Sequence, residues 1–266
     1  MRSQILILGL HRVGLPPAGA THRGLFTTPR LLDFQIRFVK MLGFKFVTLK
    51  EALEGSDGKR AVITFDDGYQ DNFSAGLPVL EKHNVPATVF VITGDVAAKA
   101  KSWDEAGEKL PADLMNWDEI KTLSAKGWEI GSHAHDHIHL ARHTPERQEK
   151  EITRSIRDIE ENIGETPVSF AYPYGSYCAA TKEILMRSGI RYAVTINNAD
   201  KNDPVAEQER LELSRVSIGG RLLHHYVKSV IRTLKATGLI TLFPRPAAIF
   251  SKAPLPAHDL LLGDRQ

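Results

Sequence analysis

Two adjacent carboxylates, Asp66 and Asp67, directly follow an apolar and β-branched run at residues 61–65. Such a run is typical of a buried strand, and a glycine at the next position suits a turn. Adjacent carboxylates repel one another, and burying either one unpaired costs a large desolvation free energy. Taken alone, the stretch is best interpreted as an Asp-Asp-Gly turn between a strand and a helix. The alternative is a site in which a metal ion, basic side chains or water hold the pair.

A cluster of histidines is the second unusual stretch. His133, His135, His137 and His139 occupy alternate positions after a short apolar run. If this segment turns helically, His133 and His137 lie one turn apart and can hold one ion while His135 points away. Histidine is the commonest metal ligand near neutral pH. We therefore favour a metal site over a polar loop with surface histidines.

The third stretch runs from Phe170 to Gly175 and contains Tyr172, Pro173 and Tyr174. By itself, this stretch fits a strand followed by a Pro-Gly turn with core aromatics as well as it fits a functional site. Its position adds weight, because all three stretches, and also His11, directly follow predicted strands. In a parallel α/β barrel the carboxyl ends of the strands face one side and build the site. We therefore expect these side chains to converge.

Two histidines and one aspartate with open coordination positions suit Zn²⁺ or another borderline divalent cation in a catalytic role. The second aspartate, beside the ligand, is then free to accept a proton. These residue types predict a catalytic metal site.

The elements that must position these residues alternate between strand and helix. Apolar runs of strand length recur from Ile5 to Ile218, and amphipathic helical patterns lie between them. The strongest helical pattern follows Thr144, and Asn116 with Glu119 predicts a capping box. This alternation predicts parallel strands with crossover helices in one α/β domain.

Composition excludes several classes of protein. The chain has 266 residues, 42% of them hydrophobic and 25% charged, as in ordinary globular proteins. A formal charge of +2 is too small to indicate nucleic acid as the partner. The single cysteine, Cys178, excludes an internal disulfide framework and fits a reducing compartment. The apolar run at residues 5–10 is too short for a secretory or membrane segment, so we expect a cytoplasmic protein.

The end of the chain differs in character. Residues 1–220 form the predicted barrel domain, and residues 221–266 a basic amphipathic helix followed by a Pro- and Ala-rich tail. The helix, over residues 221–237, can pack on its own domain or lie on a membrane surface. We favour packing on the domain and keep the membrane surface as the alternative.

The three stretches resemble the polysaccharide deacetylases with the NodB-homology fold, carbohydrate esterase family 4. The likeness is carried by Thr64 to Gly68, Ser132 to His137 and Phe170 to Gly175, and it extends from about Ile5 to about Ile218. It is greatest to the bacterial branch that acts on exopolysaccharides and poly-N-acetylglucosamine. The resemblance implies a distorted (β/α) barrel with fewer strands than eight.

The resemblance also implies roles for individual residues. Asp67, His133 and His137 match the ligands of one divalent metal ion, with Zn²⁺ first and Co²⁺, Ni²⁺ or Fe²⁺ as alternatives. Asp66 matches the general base that activates the attacking water. Tyr174 matches the residue whose backbone N–H stabilises the oxyanion.

The implied reaction removes N-acetyl groups from N-acetylhexosamine units of a poly- or oligosaccharide, giving acetate and a free amine. One alternative is a deacylase of a small or lipid-linked amide. Another is a non-catalytic carbohydrate-binding protein that keeps the fold. Asp66 disfavours this last alternative, because binding alone does not need a second carboxylate beside the ligand.

The sequence departs from the family pattern at two kinds of position. Ala171 stands where many members carry an arginine that holds the base carboxylate, so the orientation and pKa of Asp66 are open. The family's later motifs have no clear counterpart, so the general acid is unassigned among His11, His135 and His139.

Three side chains are predicted to contact the substrate. We expect Trp103 and Tyr172 to stack on sugar rings, and His11 to contribute to substrate binding.

Overall fold

The computed structural model describes residues 4–20, 22–55, 58–99, 112–196, 209–218, 233–234 and 237. Trp103 and most of the predicted C-terminal helix lie outside these ranges, so the predictions made for them stay predictions. The same holds for the proposed boundary between the barrel domain and the tail.

Ten strands occur in the described ranges. They are β1 (Gln4–Leu10), β2 (Arg12–Val13), β3 (Phe26–Thr27), β4 (Lys45–Phe46), β5 (Lys59–Phe65), β6 (Thr88–Val91), β7 (Glu129–Ser132), β8 (Ser169–Ala171), β9 (Tyr192–Val194) and β10 (Val216–Ser217). Strands β2 and β3 pair with each other as a small separate sheet, which the sequence analysis missed.

The other eight strands form one parallel sheet in the order β10-β1-β5-β6-β7-β8-β9, with β4 paired to β5 beside this path. Leu213 N donates to Ala193 O of β9, and Thr195 N donates to Leu213 O. A few residues later, Ile218 N donates to Gly9 O of β1. The short segment from Leu213 to Ile218 thus contacts both β9 and β1. The predicted distorted (β/α) barrel is confirmed.

Six α-helices pack around the sheet in the described part of the chain. They are α1 (Pro29–Met41), α2 (Leu49–Glu54), α3 (Leu77–Lys82), α4 (Trp117–Ala125), α5 (Pro145–Ile163) and α6 (Ala179–Arg187). The capping box of Asn116 and Glu119 at the start of α4 is confirmed. A π-helix over Asn72–Gly76 precedes α3.

Helix α5 shows how local sequence sets an element. The Thr144 hydroxyl accepts a hydrogen bond from Arg147 N, Pro145 occupies the first position, and Gly164 ends the helix in the left-handed conformation. Ile152 and Ile159 lie on its buried face, as their spacing predicts.

The side chains of β1 alternate between two apolar clusters, as expected for a strand. Ile5 and Ile7 belong to a cluster that also includes residues from β5, β6, β8 and β9. This cluster therefore fills the inside of the barrel. Leu6, Leu8 and Leu10 belong to the larger cluster between the sheet and the helices. Both faces of the strand are therefore buried, which explains its continuous apolar run.

Two described residues of the C-terminal segment contact the domain. Thr233 is fully buried and its hydroxyl accepts a hydrogen bond from Gln35, while Thr237 O accepts one from Gln4. Within the described ranges, every helix is too short or too polar to cross a bilayer.

Candidate active site

The side chains singled out in the sequence meet at one edge of the sheet. Asp66 and Asp67 follow β5, His133 follows β7, Tyr174 lies just after β8, and His11 follows β1. These strands are parallel and belong to one sheet, so their carboxyl ends present these residues on the same side.

Asp67, His133 and His137 form a cluster that could hold a metal ion. One ligand atom of each lies within 4.8 Å of the other two. His133 Nε2 lies 3.2 Å and His137 Nε2 3.4 Å from Asp67 Oδ1. His133 Nδ1 lies 2.8 Å from the carbonyl oxygen of Ala171. A carbonyl can only accept, so this bond places a proton on Nδ1 and leaves Nε2 as the ring nitrogen on the Asp67 side, where it would ligate a metal ion once it has lost its own proton.

The protonation states of His137 and Asp67 agree with a ligand role. Burial lowers the pKa of His133, but the Asp67 hydrogen bond and the Asp66 and Asp67 charges outweigh it and raise that pKa, so a bound cation would displace the Nε2 proton. Burial lowers the pKa of His137 to about 3, so this imidazole is neutral near pH 7. Burial raises the pKa of Asp67, but the His133 hydrogen bond and the nearby His137 and His11 outweigh it and bring the pKa below its ordinary value. Asp67 is therefore a carboxylate. One carboxylate oxygen and two imidazole nitrogens fit Zn²⁺ or a similar borderline cation.

Tyr69 is a further residue of this cluster, and the sequence analysis missed it. It is buried, and its hydroxyl forms a hydrogen bond with Asp67. Burial and the Asp67 charge raise the pKa of the Tyr69 hydroxyl well above its ordinary value. Tyr69 therefore donates to the carboxylate without competing for a metal ion.

The histidine segment is an irregular turn, not a helix. Ala134 and His137 have positive φ values of 62° and 52°. His133 and His137 still converge, with ring centroids 5.0 Å apart. His135 points the other way, and its Nδ1 lies 3.0 Å from Asp158 Oδ2 on α5. The Thr93 hydroxyl lies 3.0 Å from the same nitrogen. This arrangement anchors the turn to the helix and takes His135 away from the cluster.

Asp66 is held by Arg215, a residue that the sequence analysis did not single out. Arg215 donates two hydrogen bonds to the carboxylate, of 2.6 Å to Oδ1 and 2.7 Å to Oδ2. Its Nε donates to Thr195 O at 2.9 Å. The exposed fractions of the Arg215 and Asp66 side chains are 4% and 2%. Arg215, just before β10, therefore supplies the buried guanidinium that position 171 lacks.

The buried ion pair with Arg215 determines the charge on Asp66. Burial acts to raise the pKa of Asp66, but the Arg215 charge and hydrogen bonds outweigh it and lower the pKa below its ordinary value. Asp66 is therefore ionised and has a fixed orientation. His11 Nε2 lies 3.7 Å from Asp66 Oδ2, and the His11 side chain is 29% exposed. Asn72 fixes the backbone at this point by donating to His11 O.

Tyr174 lies in a one-turn 3-10 helix, Pro173–Gly175, with a left-handed backbone at φ 55° and ψ 14°. Its ring centroid is 4.4 Å from that of His137 and 4.0 Å from that of His139. Asp67, His137 and Tyr174 thus all have positive φ values. Such strain in non-glycine residues is concentrated at functional sites.

The expectation that Tyr172 stacks on a sugar ring is wrong. Its side chain is 1% exposed, its hydroxyl donates to Leu211 O at 2.8 Å, and its ring stacks on Tyr177. Tyr172 is therefore a core residue. After the turn at Pro173, it is the side chain of Tyr174 that lies towards the surface.

Comparisons with known proteins agree with this architecture. A polysaccharide deacetylase family model matches residues 54–193. The structure of IcaB from Ammonifex degensii superposes with a TM-score of 0.70, at 23% identity, over 88% of this chain and 97% of that chain. The Streptococcus pyogenes deacetylase PplD, solved with acetate, superposes with a TM-score of 0.68, at 23% identity, over 86% of this chain and 99% of that chain.

A sequence relative extends the comparison. Poly-beta-1,6-N-acetyl-D-glucosamine N-deacetylase of Staphylococcus aureus is 30% identical over 189 residues, which are 63% of this chain and 62% of the relative. The fold and the site define a deacetylase-type barrel. The chain belongs to the polysaccharide deacetylase family.

Proposed function

We propose that this protein is a hydrolase that removes N-acetyl groups from N-acetylhexosamine units of a poly- or oligosaccharide, giving acetate and a free amine. The observation that carries the proposal is the buried Asp66–Arg215 pair beside the cluster of Asp67, His133 and His137. A poly-N-acetylglucosamine substrate is supported by the name of the Staphylococcus aureus relative.

Asp67, His133 and His137 would hold one divalent cation, with Zn²⁺ as the first candidate and Co²⁺, Ni²⁺ or Fe²⁺ as alternatives. When bound, such a cation polarises an amide carbonyl and lowers the pKa of water, which an unreactive amide needs. The His133 hydrogen bond to Ala171 O orients this ligand before any ion arrives.

Asp66 would act as the general base. Both of its oxygens accept hydrogen bonds from Arg215, but a carboxylate oxygen has more than one acceptor site. Asp66 can therefore be held by Arg215 and still take a proton from the attacking water. Because its pKa is lowered, Asp66 is available as a base throughout the neutral range.

His11 is the best placed of the three candidate acids. The His135 imidazole is committed to Asp158, and His139 is stacked on Tyr174. The His11 imidazole lies 3.7 Å from Asp66 and reaches solvent. It can thus transfer a proton to the leaving amine, in addition to the substrate contact predicted for it.

Tyr174 would stabilise the oxyanion through its backbone N–H. This role is supported by the position of Tyr174 against His137 and by its strained backbone. A non-catalytic carbohydrate-binding protein is a weaker explanation, because binding alone does not need a buried, ionised Asp66. The cytoplasmic location and membrane contact through residues 221–237 remain predictions.

The proposal is tested by acetate release from N-acetylglucosamine oligomers. Metal-stripped protein, protein restored with Zn²⁺ or Co²⁺, and the Asp66→Asn variant are compared. We expect release to return with metal and to fall by about 10²- to 10⁴-fold in the variant, the usual contribution of a general base. Full activity of Asp66→Asn would refute the assignment of the base. Failure of the wild type to bind any divalent ion would refute the proposed chemistry.

A further inference from the structure

His139 is a half-buried residue at the edge of the site, outside the cluster of Asp67, His133 and His137. Its ring lies almost parallel to that of Tyr174, with a centroid separation of 4.0 Å and an interplanar angle of 16°. The Tyr174 ring also contacts His137, at 4.4 Å and 47°. Tyr174 is thus in contact with one imidazole of the cluster and one outside it.

The backbone at Tyr174 needs such support. A left-handed conformation costs free energy in any residue with a side chain. Gly175 follows with φ 64°, and a Cβ there would lie only 2.6 Å from the Ile196 side chain, so Ile196 packs closely over this turn. The Tyr174 side chain itself is only half-buried. A ring stacked on this half-buried side chain contributes free energy of the same order as the strain.

The segment that carries His139 is attached to the domain by a buried side chain and a hydrogen bond. Leu140 is fully buried, and the 3-10 helix Leu140–Arg142 begins directly after His139. Ala141 N donates to the Ser176 hydroxyl, two residues beyond Tyr174. The two loops are thus joined at a second point, independent of the ring contact. The near-parallel rings indicate that the flat face of His139 makes the contact.

We propose that His139 is a positioning residue whose ring, stacked on Tyr174, keeps the Tyr174 backbone in the left-handed conformation that the reaction uses. The catalytic consequence rests on the proposed function, whereas the conformational consequence does not. Removing the ring lets the Tyr174 turn relax to a negative φ. The rate of the chemical step then falls, while the residues that hold substrate and metal are unchanged.

The test compares His139→Ala, which removes the ring, with His139→Phe, which keeps a flat ring without the imidazole nitrogens. His143→Ala is the matched control, because His143 is an exposed histidine in the same loop. Each zinc-loaded variant is assayed for kcat and KM on N-acetylglucosamine oligomers, and its Zn²⁺ affinity is measured by competition with a chelator.

For His139→Ala we expect kcat to fall about tenfold, the size of effect that corresponds to the loss of an aromatic stack. KM and Zn²⁺ affinity should stay within about twofold, and His139→Phe and His143→Ala should match the wild type to about the same extent. Wild-type kcat in His139→Ala would overturn the proposal. An equal loss in His139→Phe, or a loss of Zn²⁺ affinity in His139→Ala, would also overturn it.

Crystal structures of the two variants separate this proposal from the proposed function. We expect Tyr174 to keep a positive φ in His139→Phe and to leave it in His139→Ala. A positive φ in both variants would overturn the proposal, whatever the activity. If the wild type released no acetate, the proposed function would fail, while the Tyr174 backbone would still report whether His139 positions it.

Discussion

Arg215→Met is the most informative perturbation of this site. It removes the guanidinium and keeps a linear apolar side chain of similar length. Asp66, which is 2% exposed, then loses both hydrogen bonds and its neutralising charge. Thr195 O loses its donor as well. Breaking a buried ion pair by removing one partner costs about 3–5 kcal/mol, so we expect a loss of unfolding free energy of that size.

The same change should impair the base. Without Arg215, burial raises the pKa of Asp66. A carboxyl that is protonated near pH 7 cannot accept a proton from water. We expect kcat/KM at pH 7 to fall about 10²-fold, at the lower end of what a general base contributes. Activity should partly return at higher pH, because Asp66 then ionises.

The loss of stability in Arg215→Met should also depend on pH. In the wild type the pKa of Asp66 lies below its ordinary value of 3.8, so the pair stabilises the fold above that pH. This contribution is lost as the pH falls through the lowered pKa. In Arg215→Met the pKa of Asp66 is raised, so ionisation favours the unfolded chain. The difference between the two proteins should therefore grow as the pH rises through 3.8.

Urea unfolding and the pH profile of acetate release measure these effects. Arg191→Met is the matched control, because Arg191 forms an exposed ion pair with Glu54 and should have little effect. Arg215→Lys keeps the positive charge but cannot form the bidentate hydrogen bonds. Its stability and kcat/KM should therefore lie between those of the wild type and of Arg215→Met. It also carries the pH test if Arg215→Met does not fold. Wild-type kcat/KM and an unshifted acidic limb in both Arg215 variants would refute the reasoning.

Two further changes probe the surroundings of the site. Asp158→Ala removes the carboxylate that anchors His135, so the turn that carries the histidine cluster should loosen. We expect the affinity for Zn²⁺, measured by competition with a chelator, to fall about 10-fold or more. An unchanged affinity would show that the anchor is dispensable. Asp33→Asn tests a pH effect far from the site, since hydrogen bonds from Lys82 and His83 hold the pKa of Asp33 well below 3.8. The wild type should lose this stabilisation as the pH falls below 3.8. In thermal unfolding, the midpoint temperature of the variant should therefore fall less steeply at acidic pH than that of the wild type. The same pH dependence in both proteins would contradict this role of Asp33.

Local sequence patterns predicted the fold and the position of the site. The period of apolar residues distinguishes strands from helices, and caps such as Thr144 mark where helices begin. Because parallel strands present their carboxyl ends on one side, residues that follow predicted strands could be placed together without coordinates. Topology thus placed the two aspartates and the histidines together, whereas the choice of Asp67, His133 and His137 as ligands was implied by the family resemblance.

Tertiary structure alone decided how the site is held. Arg215 is 149 residues from Asp66 in the chain, and its partner depends on which side chains meet inside the barrel. Burial of Tyr172 and the strained backbone of Tyr174 likewise arise from packing at the turn after β8. A buried charge must be neutralised, but local sequence does not specify which distant side chain does so. That choice belongs to the folded barrel, where β10 brings Arg215 beside the end of β5.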